Sequence, residues 1–254
     1  MRLLFTLALL LYTAIPVRAQ DELTIAAAAD LQPVMKEIAA RFEKQAGSRV
    51  KLVFGSSGNF FAQIQNGAPF DLFFSADVDY AAKLEAASLA EPGSLYQYAT
   101  GKIVLWVPQN SPVGLEKGLA SLTNSRIRRI AIANPAHAPY GRAAESALKK
   151  AGLWEQVSSK LVFGENISQT AQFAYSGNAD AAIVALSLVL APAVKERGRY
   201  FVIPQEMYPP LRQAAVIIRK SSNKTLASRF LEFLKTPEIQ SLFRQYGFQE
   251  EKTP

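Results

Sequence analysis

The chain has 254 residues, no cysteine, a single histidine and a formal net charge of +7. The absence of cysteine excludes disulfides, cysteine-ligated zinc and thiol nucleophiles, and a lone histidine, His137, excludes a histidine-rich metal site. No Gly-x-Ser-x-Gly elbow accompanies His137, which argues against a Ser-His-Asp triad, and scattered basic residues without an aromatic stripe argue against nucleic-acid binding.

The first 19 residues have the features of a secretory signal peptide. Arg2 supplies the positive start, residues 3–11 the apolar core, and Val17-Arg18-Ala19 the small-residue cleavage site. The apolar run is shorter than the roughly 20 residues that a membrane span needs. We therefore expect cleavage after Ala19, export to the periplasm and a soluble mature protein.

Strand-like and helix-like segments alternate along the rest of the chain, which is typical of an α/β fold. In chain order, strands are predicted at 23–28, 50–54, 71–75, 102–107, 129–133, 161–163, 181–186, 200–203 and 213–219. Helices are predicted from Leu31 to a stop at Gly47, from Phe60 to a stop at Gly67, and at 80–87, 142–151, 166–176, 226–234 and 238–246.

The order of these elements suggests two lobes, each a mostly parallel sheet flanked by helices. Gly101 and the prolines between Pro204 and Pro210 are the plausible crossing points. We expect lobe I to comprise residues 20–99 and 206–254, and lobe II to comprise residues 100–205. A ligand cleft is then expected between the lobes.

Four junctions, at which a strand ends in a short turn and a helix begins, carry the strongest functional signal. They are Ala28-Ala29-Asp30, Gly55-Ser56-Ser57-Gly58, Ala138-Pro139-Tyr140-Gly141 and Glu165-Asn166-Ile167. The start of a helix offers unpaired backbone N–H groups and the positive end of the helix dipole, so it can bind an anion. None of the turns carries a lysine, which suggests an anion held by neutral donors.

The individual junction residues allow more than one role. Ser57 lies between glycines that permit close approach of a ligand, but it could equally be a helix N-cap. Tyr140 follows Pro139 and supplies the first free N–H of its turn, whereas its ring could simply pack over the loop. Ile167 can offer only its backbone N–H. Asp30 is most simply an N-cap, because its carboxylate would compete for the N–H groups that an anion needs.

The other acidic residues have no clear ligand spacing. Asp71, Asp77, Asp79 and Glu85 lie near the ends of one short strand and the turn after it, with no histidine partner. Surface or capping roles are the simpler interpretation. We also expect His137 to be a solvated or capping residue.

At these junctions the sequence resembles the periplasmic molybdate-binding proteins of ABC transporters, over essentially the whole mature chain. The strongest match is FGSSGNFFAQIQNGAPFDLFFSAD at residues 54–77. Supporting matches are TIAAAADL at 24–31, IAIANPAHAPYGRAA at 130–144, GENISQTAQ at 164–172, AAIVALS at 181–187 and QYGF at 245–248.

The resemblance implies a two-lobed, type II periplasmic binding-protein fold that holds molybdate or tungstate through hydroxyl and N–H donors. Carried over by position, the contacts are Ala29 or Asp30, Ser57, Tyr140 and Ile167, all to oxyanion oxygens, with no residue bound directly to the metal. Two positions depart from the family pattern. Asp30 stands where many members have Ser, Thr or Asn, and Ala185 stands where some use a tyrosine hydroxyl.

The resulting expectation is a monomeric, exported substrate-binding protein that delivers molybdate or tungstate to a membrane permease and its ATPase. It implies no enzyme activity, no cofactor and no nucleic-acid partner. The alternatives are a binder of phosphate, sulfate or a small anionic metabolite on the same fold, and a secreted hydrolase that uses Ser57 as nucleophile. Because a carboxylate repels a dianion, Asp30 is expected to turn its side chain away, or else to accept a proton from a ligand such as hydrogen phosphate.

Overall fold

The computed structural model describes residues 22–250, so the predicted signal peptide lies outside the described residues. Its strands are β1 (Glu22–Ala28), β2 (Arg49–Gly55), β3 (Leu72–Ser75), β4 (Tyr96–Gly101), β5 (Ile103–Pro108), β6 (Ile130–Ala133), β7 (Leu161–Gly164), β8 (Ala181–Ala185), β9 (Gly198–Val202) and β10 (Leu211–Ile217). Its α-helices are α1 (Gln32–Ala46), α2 (Ser57–Gln65), α3 (Val78–Ala86), α4 (Pro139–Lys150), α5 (Trp154–Val157), α6 (Ile167–Tyr175), α7 (Leu186–Val189), α8 (Lys224–Leu234) and α9 (Pro237–Gln245).

The strands form two five-stranded sheets. The first has the order β2-β1-β3-β10-β4 and the second the order β7-β6-β8-β5-β9. We call the first sheet with its helices the first half of the molecule, and the second sheet with its helices the second half. The chain passes between the halves after β4 and again before β10.

Both sheets are mostly parallel, as the sequence predicted: in each, four strands run in one direction and one strand runs against them. In the first sheet β1 is parallel to β2 and β3, and β10 is antiparallel to β3 and β4. In the second, β6 is parallel to β7 and β8, and β5 is antiparallel to β8 and β9. The strands that follow a crossing, β5 and β10, enter their sheets in the reverse direction, because no crossover helix precedes them.

One strand was missing from the sequence prediction. β4 has the sequence YQYATG and lies at the edge of the first sheet, where several of its side chains are half-buried. Its polar and aromatic residues lack the apolar run of an inner strand, so periodicity alone does not reveal it.

The helices begin and end where local chemistry favours it. α1 has Pro33 in its first turn and ends at Gly47, whose φ of 66° is the left-handed conformation that glycine adopts easily. Apolar side chains such as Met35, Ile38 and Phe42 of α1 pack on the first sheet with Phe230 of α8. No helix among residues 22–250 is long and apolar enough to cross a membrane.

Candidate functional site

The register of the two sheets brings the four junctions together in pairs. Ala28 at the end of β1 lies opposite Gly55 at the end of β2. Ala133 at the end of β6 likewise lies opposite Gly164 at the end of β7. Since parallel strands end at the same edge of a sheet, each pair of following turns starts side by side, at the edge where α/β proteins bind their ligands.

Hydrogen bonds between the halves then bring the two pairs face to face. They run from the Gly58 N–H to the His137 carbonyl (3.0 Å), from the Tyr140 hydroxyl to the Asp30 carboxylate (3.0 Å), and from the Ser168 hydroxyl to Gln32 Oε1 (2.6 Å). All four junctions therefore line a single interface between the halves.

The five residues predicted to contact a ligand are buried at this interface. Ala29, Asp30, Ser57, Tyr140 and Ile167 are each at most 3% exposed. The interface is thus closed around them.

Three backbone N–H groups at the junctions, those of Ser57, Tyr140 and Ile167, make no turn, loop or cap hydrogen bond among residues 22–250. Each lies in the first turn of its helix, where intrahelical acceptors are absent. The Ala29 N–H instead extends the parallel pairing of β1 with β2 towards Gly55. A buried N–H without an acceptor costs free energy comparable to a lost hydrogen bond, so three of them at one interface indicate a missing acceptor. The cluster suits an oxyanion.

The Ser57 side chain is arranged to donate. Its Oγ accepts a hydrogen bond from the Ala76 N–H at 2.9 Å, which leaves the hydroxyl hydrogen available for another acceptor. The N-cap role that the sequence left open for Ser57 belongs instead to Ser56, whose Oγ accepts from the Asn59 N–H at 3.4 Å.

Asp30 does not act as an N-cap, so that prediction from the sequence is wrong. It lies in a short 3-10 helix, residues 29–31, where no side-chain cap hydrogen bond is made. Its Oδ2 instead accepts from Gln213 Nε2 at 2.7 Å and from the Tyr140 hydroxyl, while its backbone carbonyl accepts from the Ser187 hydroxyl at 2.8 Å. Asp30 therefore joins the halves of the molecule, because Gln213 belongs to the first and Tyr140 and Ser187 to the second.

The electrostatics of Asp30 are unusual. Burial raises its pKa to about 6, against the opposing effect of the hydrogen bonds from Gln213 and Tyr140 and of the backbone N–H groups of Asp30 and Leu31. Its Oδ1 is buried and has no hydrogen-bond partner. Burial together with the charge of Asp30 raises the pKa of Tyr140 well above its usual range, so the hydroxyl remains a donor.

His137 is partly buried and caps no helix, whereas the sequence predicted a solvated or capping residue. Its side chain is 19% exposed, its Nδ1 lies 3.0 Å from Ser56 Oγ, and its Nε2 lies 3.5 Å from the Glu165 carboxylate. The imidazole contacts Ser56 rather than Ser57, and Ser56 Oγ already caps α2. This arrangement gives no support to a hydrolase with Ser57 as nucleophile, because no base contacts Ser57.

The acidic residues of the β3 region have structural roles. Asp71 is buried and accepts from the Thr24 N–H, the Ser221 hydroxyl and the Asn223 amide, beside a cavity of about 870 Å³ at the far end of the first sheet. Asp77 caps α3, as predicted, and also pairs with Arg142 across the halves at 2.5 Å. No group of three or more His, Cys, Asp or Glu residues within 22–250 could hold a metal ion.

Sequence analysis missed the partners of Asp30. Gln213 is fully buried and also receives a hydrogen bond from the Tyr98 hydroxyl at 2.8 Å. The available signal was Gln213 itself, which directly precedes the apolar run AAVI in β10. A buried polar side chain at such a position needs partners.

Comparison with known proteins agrees with this architecture. The family model of bacterial extracellular solute-binding proteins matches residues 23–249. The molybdate-binding protein ModA of Rhodobacter capsulatus is 40% identical over 242 residues, which cover 95% of this chain and 93% of that protein. The solved periplasmic molybdate-binding protein of Azotobacter vinelandii has a TM-score of 0.86 and 34% identity, with 91% of this chain and 100% of that chain covered.

A more distant structure shows the fold alone. The sulfate-binding protein SubI of Mycobacterium tuberculosis has a TM-score of 0.72 at 15% identity, with 91% of this chain and 87% of that chain covered. The expected α/β fold of the periplasmic binding-protein type is confirmed by these likenesses together with the two sheets. The chain therefore belongs to the family of bacterial extracellular solute-binding proteins and is a homologue of the periplasmic molybdate-binding proteins.

Proposed function

We propose that this chain is the substrate-binding protein of an ABC importer and captures molybdate or tungstate at the interface between its halves. The observation that carries the proposal is the cluster of three buried N–H groups, at Ser57, Tyr140 and Ile167, that begin helices without an acceptor. The names of the relatives in Rhodobacter and Azotobacter supply the identity of the oxyanion.

The donor set matches the chemistry of a tetrahedral dianion. Molybdate carries no proton at neutral pH, so it can only accept hydrogen bonds, and the three N–H groups and the Ser57 hydroxyl are available to donate. Hydrogen bonds to a charged group contribute roughly 1.5–3 kcal/mol each. Four of them can support tight binding after the costs of desolvation and ordering.

Binding proceeds by closure of the two halves, which we take as lobe I (20–99 with 206–254) and lobe II (100–205). The ion contacts residues of both lobes, so it stabilises the closed form over the open one. Closed and open forms present different surfaces to a membrane permease and its ATPase. The family binds solutes and catalyses no reaction, which confirms the prediction that the chain is not an enzyme and needs no cofactor.

The protein is further proposed to act in the periplasm as a monomer after cleavage at Ala19. The features of residues 1–19 and the periplasmic relative of Azotobacter support this location. Its net charge after cleavage, +5 from 26 basic and 21 acidic residues, would attract anions at long range.

Phosphate is a second candidate because of one observation. The free Oδ1 of Asp30 could accept a proton from hydrogen phosphate, which molybdate cannot supply. Sulfate, which also lacks a proton at neutral pH, would use the same donors as molybdate but has shorter bonds to its oxygens.

Calorimetric titration of the mature protein with molybdate, tungstate, sulfate and phosphate tests the proposal. We expect one tight site for molybdate and tungstate and much weaker binding of the other two. Tight binding of phosphate with no heat from molybdate would contradict the proposed ligand while leaving the location of the site intact.

A further inference from the structure

We propose that Asp30 takes up one proton from solution when the protein captures the dianion. This inference rests on the proposed function. The closed complex then holds Asp30 as a neutral carboxylic acid, with the new O–H bond on Oδ1. The proton comes from water or buffer, and the oxyanion stays fully deprotonated. Each binding event is in this way a joint capture of one dianion and one proton.

The position of Asp30 makes its charge important for closure. Its side chain is fully buried and bridges the halves through Tyr140, whose backbone N–H is one of the proposed donors. An ionised Asp30 would therefore share a closed, largely dry interface with two further negative charges. Like charges in such an environment favour the neutral form of the group that can accept a proton.

The hydrogen bonds around Asp30 leave room for that proton on one oxygen. Oδ2 already accepts from Gln213 Nε2 and the Tyr140 hydroxyl. Oδ1 has no partner, although it is buried. The backbone N–H groups of Asp30 and Leu31 offset part of the cost of burying the charge, but burial outweighs them. Protonation of Oδ1 removes the charge while both hydrogen bonds to Oδ2 are kept.

Among residues 22–250, no cation pairs with Asp30. The side chains that contact or influence its carboxyl group are Gln213 of β10, Tyr140 of α4 and Tyr98 of β4, all of them neutral, and Tyr208 lies beyond Tyr140. Ser187 of α7 binds only the backbone carbonyl of Asp30. No ion pair within residues 22–250 includes Asp30. Burial already raises its pKa to about 6 without a ligand, and a dianion acts in the same direction.

His137 is the competing acceptor. It lies at the same interface, paired with Ser56 and Glu165, and an imidazole can also take up a proton when an anion binds. The experiment therefore has to separate the two groups, and the chain allows this because His137 is its only histidine.

The test is calorimetric titration with molybdate at pH 7 in two buffers of low and high ionisation enthalpy, neither of them phosphate. The change of observed enthalpy with buffer ionisation enthalpy gives the number of protons taken up. We expect close to one proton per molybdate for the parent protein and for His137→Gln, and close to none for Asp30→Asn. The Kd of the parent should rise several-fold per pH unit between pH 6.5 and 8, whereas that of Asp30→Asn should not change with pH.

A second measurement does not depend on any variant folding. Infrared difference spectra of the parent with and without molybdate should show the C=O band of a protonated carboxyl group appearing on binding. Tight binding without proton uptake and without this band would overturn the inference and leave the proposed function standing. Uptake that is lost in His137→Gln but kept in Asp30→Asn would overturn it as well, and absence of molybdate and tungstate binding would overturn both.

Discussion

At the scale of single residues, Ser57 combines two hydrogen-bonding roles. Its hydroxyl can donate to the ligand, and its Oγ accepts from the Ala76 N–H. Ser57→Ala should therefore weaken molybdate binding by about 1.5–3 kcal/mol. The buried Ala76 N–H would also lose its acceptor, so we expect the free energy of unfolding to fall by about 1–3 kcal/mol.

Ser56→Ala is the matched control for this change. It removes the cap of α2, which costs about 1 kcal/mol of stability, without removing a proposed ligand donor. Calorimetry and urea unfolding of both variants measure the two effects. Unaltered affinity in Ser57→Ala would show that the ligand binds elsewhere.

The Tyr140 hydroxyl donates to Asp30 across the halves, so it stabilises the closed form. In the proposed site only the backbone N–H of Tyr140 contacts the ligand, and Tyr140→Phe keeps that group. We expect Tyr140→Phe to weaken affinity by about 1 kcal/mol, mainly through faster dissociation.

Ile167→Val serves as the control for Tyr140→Phe, because it keeps the backbone N–H and a similar shape. Its affinity should equal that of the parent. Stopped-flow dissociation measures both variants. A loss above about 3 kcal/mol in Tyr140→Phe would indicate that the hydroxyl binds the ion directly.

Asp30 makes stability depend on pH in a defined direction. Its pKa rises from 3.8 in the unfolded chain to about 6 in the folded protein. Below pH 3.8 both states are protonated and burial of the side chain carries no charge penalty. As pH rises through about 6 the folded protein buries a charge, and stability falls by up to about 3 kcal/mol, at about 1.4 kcal/mol per pKa unit.

Asp30→Asn should therefore raise the free energy of unfolding at pH 8 and have little effect near pH 4. The asparagine keeps an acceptor at the position of Oδ2 and places an amide where Oδ1 has no partner. Asp71→Asn is the control, because both oxygens of Asp71 have donors, and it should lose stability at pH 8. Urea unfolding at pH 8 and pH 4 measures the free energy of unfolding of both variants and the parent. An Asp30→Asn protein less stable than the parent at pH 8 would contradict this prediction.

At the scale of elements, substitutions of two glycines test how closely the N-termini of α2 and α4 approach the neighbouring backbone. A Cβ on Gly58 would lie 2.5 Å from the His137 carbonyl oxygen, across the halves. A Cβ on Gly141 would lie 2.2 Å from the Ala133 carbonyl oxygen, within the second half. Gly58→Ala should therefore hinder closure, and Gly141→Ala should displace the start of α4 from β6.

We expect Gly58→Ala to lower affinity at least tenfold with little change in thermal unfolding of the ligand-free protein. Gly141→Ala should lower both affinity and stability. Calorimetry and thermal unfolding distinguish the two outcomes. Parent-like affinity in Gly58→Ala would mean that the halves do not need to close as tightly as they do here.

The elements themselves were largely predictable from the sequence, whereas the contacts of Asp30 were not. Apolar runs and turn residues located most strands and helices, because these signals are local. β4 was missed because an edge strand needs no apolar run. The role of Asp30 depends on Tyr140 and Gln213, which lie 110 and 183 residues away along the chain, and no local pattern reports such a distance.

At the scale of the whole molecule, the proposed site is complete only when the two halves meet. Ser57 comes from the first half, and Tyr140 and Ile167 from the second. Two partly buried pairs on the rim, Arg142 with Asp77 and Ser168 with Gln32, add further contacts across the interface. Ligand binding and closure are therefore expected to be one coupled event.

The central claim is that the N–H groups of Ser57, Tyr140 and Ile167 bind the oxyanion, and the most direct test is a crystal structure of the molybdate complex with anomalous data at the molybdenum edge. The account predicts one molybdenum peak at the interface, with oxyanion oxygens within hydrogen-bond distance of these three N–H groups. A molybdenum peak elsewhere, such as in the cavity beside Asp71, with these N–H groups left without the ion, would contradict it.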